Sequence, residues 1–210
     1  MSLPRDKNRA RAERHVLPVL RSLSEIPAKE WRYLAPRLQL RALPAGAALT
    51  RAGEVADQLG FVVSGLIRKL HVTPRGKLVV RGFGGPGSVV GAYVSLLTGE
   101  PSHLSVEALT DSELFVLSWG ELESLYERHV CWQRLGRRFA ELTLIERETR
   151  AHELLTLSAA ERFARFCADH RDLLPRLRSY DIASYLGITP VSLSRLRARE
   201  RSRARGQKSV

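Results

Sequence analysis

Cysteine is scarce in this sequence, which contains only Cys131 and Cys167 among its 210 residues. Two cysteines cannot supply a disulfide framework or a four-ligand metal site, and their scarcity is typical of a reduced, intracellular protein. The six histidines are spread along the chain without the close spacing of metal ligands. The sequence therefore predicts neither a metal nor another cofactor.

Long apolar segments are absent as well. No run approaches the ~20 residues that a helix needs to cross a bilayer. The charged amino-terminal stretch also lacks the apolar core of a secretory signal. We therefore expect a cytoplasmic protein that has no membrane partner.

The sequence patterns of common catalytic sites are missing too. There is no Gly-x-Ser-x-Gly nucleophile elbow, and no other nucleophile has a local catalytic signature. The glycine-rich segment 82–87 lacks the Lys-Ser/Thr pair of a phosphate-binding loop and is interpreted as turns. These absences predict that the protein is not an enzyme, and they argue against the alternative of an enzyme built on a β-rich domain.

Acidic residues are too few to balance the basic ones. Thirty-four Lys and Arg residues face 22 Asp and Glu residues, which gives a net charge of +12. Residues 171–210 contain ten basic and three acidic side chains, so this segment alone carries +7. Such a concentration of positive charge suits a polyanionic partner, either nucleic acid or an anionic membrane surface. For residues 199–208 taken alone, a solvated basic tail is the alternative interpretation.

The amino-terminal part of the chain predicts a free end followed by short helices. Residues 1–14 are polar and basic, and we expect them to form a disordered terminus. Apolar residues then recur at helical spacing up to residue 42, but Pro18, Pro27 and Pro36 divide this stretch. Several short helices are therefore predicted here rather than one long helix.

The next segment has the texture of a β-roll. Between residues 43 and 118, short β-prone runs alternate with turns that contain Gly or Pro, such as the turn at 74–76. Many short strands with frequent turns are typical of an all-β roll or barrel. Together with the helices that precede it, this segment predicts a β-roll (jelly-roll) domain over residues 15–118 within a chain of the α+β class.

A long helix is predicted over residues 119–157, where proline is absent. Apolar residues recur there at spacings of three and four and form a stripe along one face. The stripe is narrow and flanked by Arg and Glu, which favours a coiled-coil contact in a homodimer over the alternative, a core stripe within one chain. The predicted dimer contact consists of Trp132, Leu135, Phe139, Leu142 and Ile145.

The last segment, 158–210, contains the pattern of a helix-turn-helix between residues 181 and 197. Ala183 provides the small residue where the two helices cross, and Gly187 tolerates the positive φ of the turn. Thr189 can cap the second helix, and Pro190 suits its first position. The apolar residues that would hold the two helices together are Ile182, Leu186, Ile188, Leu193 and Leu196.

The second helix of this motif is predicted to enter the major groove of double-stranded DNA. Arg195 can donate two hydrogen bonds to a guanine edge, and Val191 can make only apolar contact. The alternatives are an ordinary two-helix corner, or a degenerate helix-turn-helix in an interaction module that does not bind DNA. The predicted DNA-contacting residues are Thr189, Pro190, Val191, Ser192, Ser194, Arg195, Arg197 and Arg199.

These pieces, in this order, resemble the cAMP receptor protein/fumarate-nitrate regulator (CRP/FNR) family over about residues 17–199. The resemblance implies a cyclic-nucleotide-binding-like roll, promoter binding as a homodimer, and control of DNA affinity by the roll. It makes RNA polymerase and a small-molecule effector candidate partners. The matching segments are Gly46, Gly53, 61–67, 86–91, 95–101, 108–117 and 182–195.

The sequence departs from this family where its members bind cAMP. In those members, a Gly-Glu pair holds the ribose, and an Arg-Ser or Arg-Thr pair about ten residues later holds the cyclic phosphate. Here the corresponding pairs are Gly91-Ala92 and Ser102-His103. A buried phosphate without its Arg would be an unpaired charge, which is costly. We therefore expect an effector pocket at these four residues that takes a ligand other than cAMP, or no effector at all.

Three further departures bear on the other family features. Iron–sulfur members use an amino-terminal cysteine cluster, but this chain has no cysteine before Cys131. Pro190-Val191 replaces the Arg-Glu pair that begins the family's recognition helix, so a different DNA target is expected. Residues 172–179 are too short for the β-hairpin wing that precedes the helix-turn-helix in well-studied members. The prediction is a sequence-specific, dimeric transcriptional regulator that lacks the usual cAMP and iron–sulfur residues.

Overall fold

The computed structural model describes residues 5–73 and 76–206. Residues 74–75 of the predicted turn lie outside the described residues, as do residues 1–4 and the end of the basic tail at 207–210. The predicted α+β fold is confirmed. Short helices precede a roll of two β-sheets, and a long helix leads from the roll to the carboxyl-terminal helices.

The amino-terminal segment is helical where it is described, so the predicted disordered terminus is corrected from residue 5 onwards. Helix α1 spans Arg5–His15. Its Ala12 is buried in the main hydrophobic core, and Arg11 donates a hydrogen bond to Glu113 Oε1 at 3.1 Å. This ion pair and this buried methyl group fix a segment whose composition alone indicates a free end.

Short helices follow α1, and prolines set their boundaries as predicted. Pro18 lies in the first turn of one helix, Pro27 immediately precedes the next, and Pro36 lies in a 3-10 turn. These elements are α2 (Leu17–Leu23), α3 (Ala28–Leu34) and the 3-10 turn Ala35–Arg37.

The roll consists of two antiparallel sheets, each with four strands in the described part of the chain. A short helix, α4 (Tyr93–Thr98), interrupts the strand series. The strands are β1 (Gln39–Leu43), β2 (Ala48–Thr50), β3 (Gln58–Ser64), β4 (Ile67–Val72), β5 (Leu78–Gly84), β6 (Val89–Val90), β7 (Leu104–Ala108) and β8 (Ser112–Ser118).

The strand order places β5 at an edge, which matters for the carboxyl-terminal domain. One sheet has the order β1-β8-β3-β6, and the other has the order β2-β7-β4-β5. Gly65 turns the chain from the first sheet into the second with φ of +91°. A Cβ atom at this position would lie 2.5 Å from Ser112 Cα, so glycine is required there for both space and backbone conformation.

The single helix predicted over residues 119–157 is two helices in the structure. Helix α5 spans Trp119–Arg128 and helix α6 spans Val130–Thr156. His129 between them is extended, with φ of −158° and ψ of 140°. Its Nδ1 accepts a hydrogen bond from the Cys131 backbone N–H at 3.1 Å. Because this ring caps the start of α6, the chain changes direction without a glycine or proline.

The apolar stripe of α6 divides into a buried half and an exposed half. Trp132 and Leu135 are buried in the core of their own chain, and Phe139 packs edge-on against Tyr93 with ring centroids 5.1 Å apart. Leu142 and Ile145 are 39% and 56% exposed. The prediction that the whole stripe forms a dimer contact is therefore wrong for its first half, since α6 packs against α5 and the roll there.

The carboxyl-terminal helices form a second, smaller core. Ser158 and Glu161 make the predicted capping box at the start of the first of them. Across the described ranges, none of the helices combines the length and apolar character required to span a membrane. These elements are α7 (Ala159–Asp169), a 3-10 turn (Leu174–Arg176), α8 (Ser179–Leu186) and α9 (Pro190–Gly206).

Candidate nucleic-acid interface and effector cavity

Helices α8 and α9 are joined by the turn that the sequence predicts. Gly187 ends α8 in the left-handed conformation, with φ of +70°. The backbone N–H of Ile188 then donates a hydrogen bond to the carbonyl oxygen of Ala183 at 3.0 Å. Thr189 Oγ1 then accepts the backbone N–H of Ser192 at 3.1 Å, which caps the first turn of α9. These local bonds fix the angle at which α9 leaves α8.

The contact between the two helices is made by the predicted apolar residues. Ala183 and Leu193 are each 1% exposed, so the crossing point admits only a small side chain on α8. Ile182 and Leu186 are fully buried in the same core, while Ile188 and Leu196 pack at its margin. Burial of this face leaves the opposite face of α9 free to meet another molecule.

Seven of the eight predicted DNA-contacting residues lie on or beside the open face of α9, and one is directed elsewhere. Ser192 is half-buried because it takes part in the cap. Arg197 is also half-buried, and it donates from Nη1 to Ser179 Oγ at 2.7 Å, towards the start of α8. The exposed ones are Thr189, Pro190, Val191, Ser194, Arg195 and Arg199.

Additional basic residues lie just before α8. The segment predicted to be too short for a β-hairpin forms the 3-10 turn Leu174–Arg176, so no wing is present in this part of the described chain. Arg171, Arg176 and Arg178 are exposed there. From the sequence these residues contribute only to the charge of the segment, because their position beside the helix-turn-helix depends on the turn.

The four predicted effector-pocket residues are brought together in one cavity of about 500 Å³ between the roll and α6. Basic side chains from β4, β5 and α6 also line the cavity, and they were not predicted because they are distant in the chain from the four predicted residues. The predicted residues are Gly91, Ala92, Ser102 and His103, and the added ones are Lys69, His71, Arg81 and Arg147.

The chemistry at the predicted pair 102–103 differs from that of a phosphate site. Ser102 is buried, and its hydroxyl donates to the Leu104 carbonyl oxygen at 2.7 Å, so it is engaged in its own turn. His103 is exposed, and its carbonyl oxygen lies 2.9 Å from His71 Nδ1. Ala92 is buried and offers no polar atom. No guanidinium is therefore supplied by the segment that carries it in cAMP-binding members.

The charged groups around this cavity are unpaired with one another. Lys69, Arg81 and Arg147 supply positive charge, and Glu100 and Glu146 supply negative charge. None of the five forms a salt bridge to any residue that the structure describes. The cavity thus offers both donors and acceptors to a polar ligand.

Cys131 shows no sign of thiol chemistry. Burial raises the pKa of the Cys131 thiol, and the nearby Glu30 carboxylate raises it further. A thiol of this kind is a packed apolar group rather than a nucleophile. The described residues also contain no group of three or more His, Cys, Asp or Glu side chains that could hold a metal ion.

Comparison with known proteins supports this description of the fold. Residues 40–129 match the family model of the cyclic nucleotide-binding domain, which covers the roll and α5. FixK2 from Bradyrhizobium japonicum has 24% identity and a TM-score of 0.71, over 80% of this chain and 86% of that chain. The c-di-GMP-responsive global regulator CLP of Xanthomonas campestris has 19% identity and a TM-score of 0.65, over 82% and 90% of the two chains. The catabolite activator protein of Thermus thermophilus has 23% identity and a TM-score of 0.55, over 89% and 88%.

The chain has the fold of the CRP/FNR regulators. The resemblance identified from the sequence is therefore confirmed at the level of the fold. No match is found among the curated proteins. In this chain, Ala92, Ser102 and His103 line the cavity, and a 3-10 turn precedes the helix-turn-helix.

Proposed function

We propose that this protein is a sequence-specific, DNA-binding transcriptional regulator that acts as a homodimer. The observation that carries the proposal is the open face of α9. This face combines an exposed, capped amino-terminal turn with Arg195, on a helix fixed to α8 by a buried contact. A helix of this kind places its first turns against base edges in the major groove. Arg195 is the side chain best suited to select a guanine.

Homodimer formation is proposed through the second half of α6. Leu142 and Ile145 are three residues apart on one helix face and are exposed in the single chain. Leu142 lines an open groove of about 180 Å³ between α2 and α6, with Val19 and Leu23 on its other side. A second copy would cover this apolar surface and place two α9 helices about one DNA turn, ~34 Å, apart.

We propose a separate function for each of the three segments of the chain. The roll, residues 15–118, holds the effector cavity; the helical segment 119–157 carries the dimer contact; and residues 158–210 bind DNA. We propose that the protein responds to a small-molecule effector other than cAMP or acts without an effector, and that RNA polymerase is the further candidate partner. The protein is proposed to act in the cytoplasm and to have no enzymatic activity.

The test is a selection of bound sequences from random double-stranded DNA, carried out at two salt concentrations. Wild type is compared with Arg195→Ala and with Arg41→Ala, a matched control because Arg41 is exposed on β1 of the roll. We expect a two-fold-symmetric motif that the control retains and that Arg195→Ala relaxes at one position in each half-site, at a cost of about 1–3 kcal/mol.

Two other outcomes would contradict the proposal. Binding that is strongly salt-dependent but enriches no motif would mean that the basic residues contact only phosphates. The absence of DNA binding would favour the alternative, an interaction module with a degenerate helix-turn-helix.

A further inference from the structure

The carboxyl-terminal core is not closed by its own residues. Its buried side chains come from α7, α8 and α9 and from Leu177 just before α8, but Leu66 of the roll is fully buried among them. Phe83 and Leu109, also of the roll, pack against the same cluster. The roll therefore supplies part of the hydrophobic core on which the helix-turn-helix rests.

The size of the carboxyl-terminal segment explains why it needs this support. The segment 159–206 is shorter than the ~60 residues at which an isolated domain buries only a marginal share of its surface. It also has a 3-10 turn, Leu174–Arg176, where a β-hairpin wing would add strands. Instead, β5, the edge strand of the roll, packs against α8.

Ser184 on α8 joins this edge strand through its hydroxyl. Ser184 Oγ accepts the Val80 backbone N–H at 3.0 Å and donates to the Leu78 carbonyl oxygen at 3.1 Å. These two groups belong to β5, the edge strand of its sheet. One side chain of the helix-turn-helix thus satisfies both the donor and the acceptor of a strand edge.

A buried ion pair makes the second polar connection. Arg68 on β4 lies between two carboxylates: Nη1 is 2.5 Å from Asp181 Oδ1, and Nη2 is 3.0 Å from Glu107 Oε1. Asp181 is at the start of α8 and is 1% exposed. Among the described residues, Arg68 is the only cation that forms a salt bridge with it. Loss of this cation would leave a charge buried without a counter-ion, which is strongly unfavourable.

Aromatic contacts complete the junction. The Phe83 ring at the end of β5 meets Phe166 edge-on with centroids 6.1 Å apart, and Tyr185 lies 5.7 Å away. Leu173 lies against Gly85, where an added Cβ atom would approach Leu173 Cδ2 to 2.9 Å. The roll and the helices are therefore in close contact at this point, and a larger residue at position 85 would require the Leu173 side chain to shift.

We infer that the β4–β5 hairpin of the roll is a structural part of the DNA-binding unit, with the supporting role that a wing would otherwise have. The same hairpin lines the effector cavity through Lys69 and Arg81. Lys69 follows Arg68 in the chain, and Arg81 follows Val80. A ligand that moves these two cavity residues would therefore also move the residues that hold α8.

The first arm of the test needs no DNA. Hydrogen exchange is measured on the full-length protein for wild type, Arg68→Gln, Asp181→Asn and the double variant. We expect each single variant to speed exchange in α8 and α9 at least about tenfold, while β3 and β8 keep their protection. The double variant should exchange more slowly than Arg68→Gln, since it also removes the Asp181 carboxylate that Arg68→Gln leaves buried without a counter-ion. Arg41→Gln, on the far sheet, should exchange like wild type.

Ser184→Ala is the milder variant at the same junction, with Ser124→Ala on the exposed face of α5 as its control. We expect Ser184→Ala to increase exchange at the Val80 amide and in α8, and Ser124→Ala to change neither. Unchanged protection of α8 and α9 in Arg68→Gln and Ser184→Ala would overturn the inference. Equal loss of protection in β3 and β8 would also overturn it, because it would mean that the whole chain is destabilised.

The second arm measures DNA affinity and separates this inference from the proposed function, on which its DNA-binding part rests. We expect Arg68→Gln to weaken binding to the selected DNA site at least about tenfold, although Arg68 is on the roll. Wild-type affinity in this variant would overturn the inference. If wild type itself binds no DNA but the exchange results hold, the docking of the helix-turn-helix on the roll stands and only the DNA-binding function fails.

Discussion

Glu30 accepts a hydrogen bond from the indole Nε1–H of Trp132 at 3.0 Å, and this contact joins α3 to α6 inside the core. Arg128, the last residue of α5, donates to the same carboxylate from Nε at 2.9 Å and from Nη2 at 3.3 Å. One buried carboxylate thus connects α3 with α5 and α6, which lie about a hundred residues later in the chain. It fixes the buried end of α6, from which the exposed half extends.

Replacement of Glu30 is expected to destabilise the protein. We expect Glu30→Ala to lower the free energy of unfolding by about 2 kcal/mol, because the Trp132 N–H and the Arg128 guanidinium both lose their acceptor. Urea denaturation followed by circular dichroism measures the change. Glu123→Ala, at an exposed position on α5, is the control and should change stability by less than about 0.5 kcal/mol. Equal stabilities of the two variants would contradict this account.

Low pH is expected to remove the contribution of Glu30 to the free energy of unfolding. Burial acts to raise the pKa of this carboxyl, but the hydrogen bond from Trp132 and the Arg128 guanidinium together hold the pKa below its ordinary value of 4.5. A carboxyl whose pKa is lower in the folded than in the unfolded state stabilises the fold above the unfolded pKa and loses this effect as the pH falls through the folded pKa.

The stability difference between wild type and Glu30→Gln should therefore be constant above about pH 5 and shrink as the pH falls below it. Urea titrations of both proteins at a series of pH values measure this difference. A difference that stays constant down to the most acidic buffer in which wild type still folds would mean that Glu30 is not titrating in this range.

Gly187→Ala tests the turn of the helix-turn-helix. Gly187 has φ of +70°, and an added Cβ atom would meet only Leu154 Cδ2 at 3.7 Å, an ordinary contact. The cost is therefore backbone strain alone, and we expect a loss of about 1 kcal/mol in the free energy of unfolding. Thermal unfolding measures it. Gly120→Ala, which lies within α5 and meets nothing within 4 Å, should be neutral or stabilising.

Lysine substitutions on the exposed half of α6 test the proposed dimer contact. We expect the double variant Leu142→Lys/Ile145→Lys to sediment as a monomer and to lose two-fold-symmetric DNA binding, because like charges would face each other across the contact. Ala151→Lys places the same charge on the opposite face of α6, nine residues from Leu142, and should leave the dimer intact. A dimeric double variant would place the dimer contact elsewhere on the chain.

The cavity is tested with cAMP. Ligand binding to the folded state raises Tm by mass action. Because Ala92 and Ser102 leave the cyclic phosphate and ribose without their usual partners, we expect millimolar cAMP to leave Tm unchanged. A clear rise in Tm, abolished by Lys69→Gln or Arg81→Gln, would show that the basic residues of β4 and β5 replace the missing guanidinium.

Local chemistry made the carboxyl-terminal motif predictable from the sequence. The small Ala183, the left-handed Gly187 and the capping Thr189 act within a few residues of each other, so their spacing defines the turn and they occupy the predicted positions. The prolines that divide the amino-terminal helices act in the same local way. The Gly- and Pro-punctuated strands of the roll also leave a pattern in the sequence, since turns have their own residue preferences.

Contacts between distant segments were decided only by the tertiary structure. The ion pair of Arg11 and Glu113 holds a terminal helix that composition predicts to be disordered. The His129 ring caps the start of α6, so that two helices form in a segment that has no proline. Trp132 and Ile145 belong to one apolar stripe, yet only Trp132 is buried, because α3 and α5 cover one end of α6 and not the other.

The junction between roll and helix-turn-helix is the clearest case. The sequence by itself determined a basic, wingless helix-turn-helix after a β-roll. It did not determine that Arg68 neutralises Asp181, or that Ser184 completes the edge of β5. Periodicity and propensity report which face of an element is apolar, but they do not report which face another element covers. That choice depends on how the chain packs as a whole, and here it links the cavity to the helix proposed to read DNA.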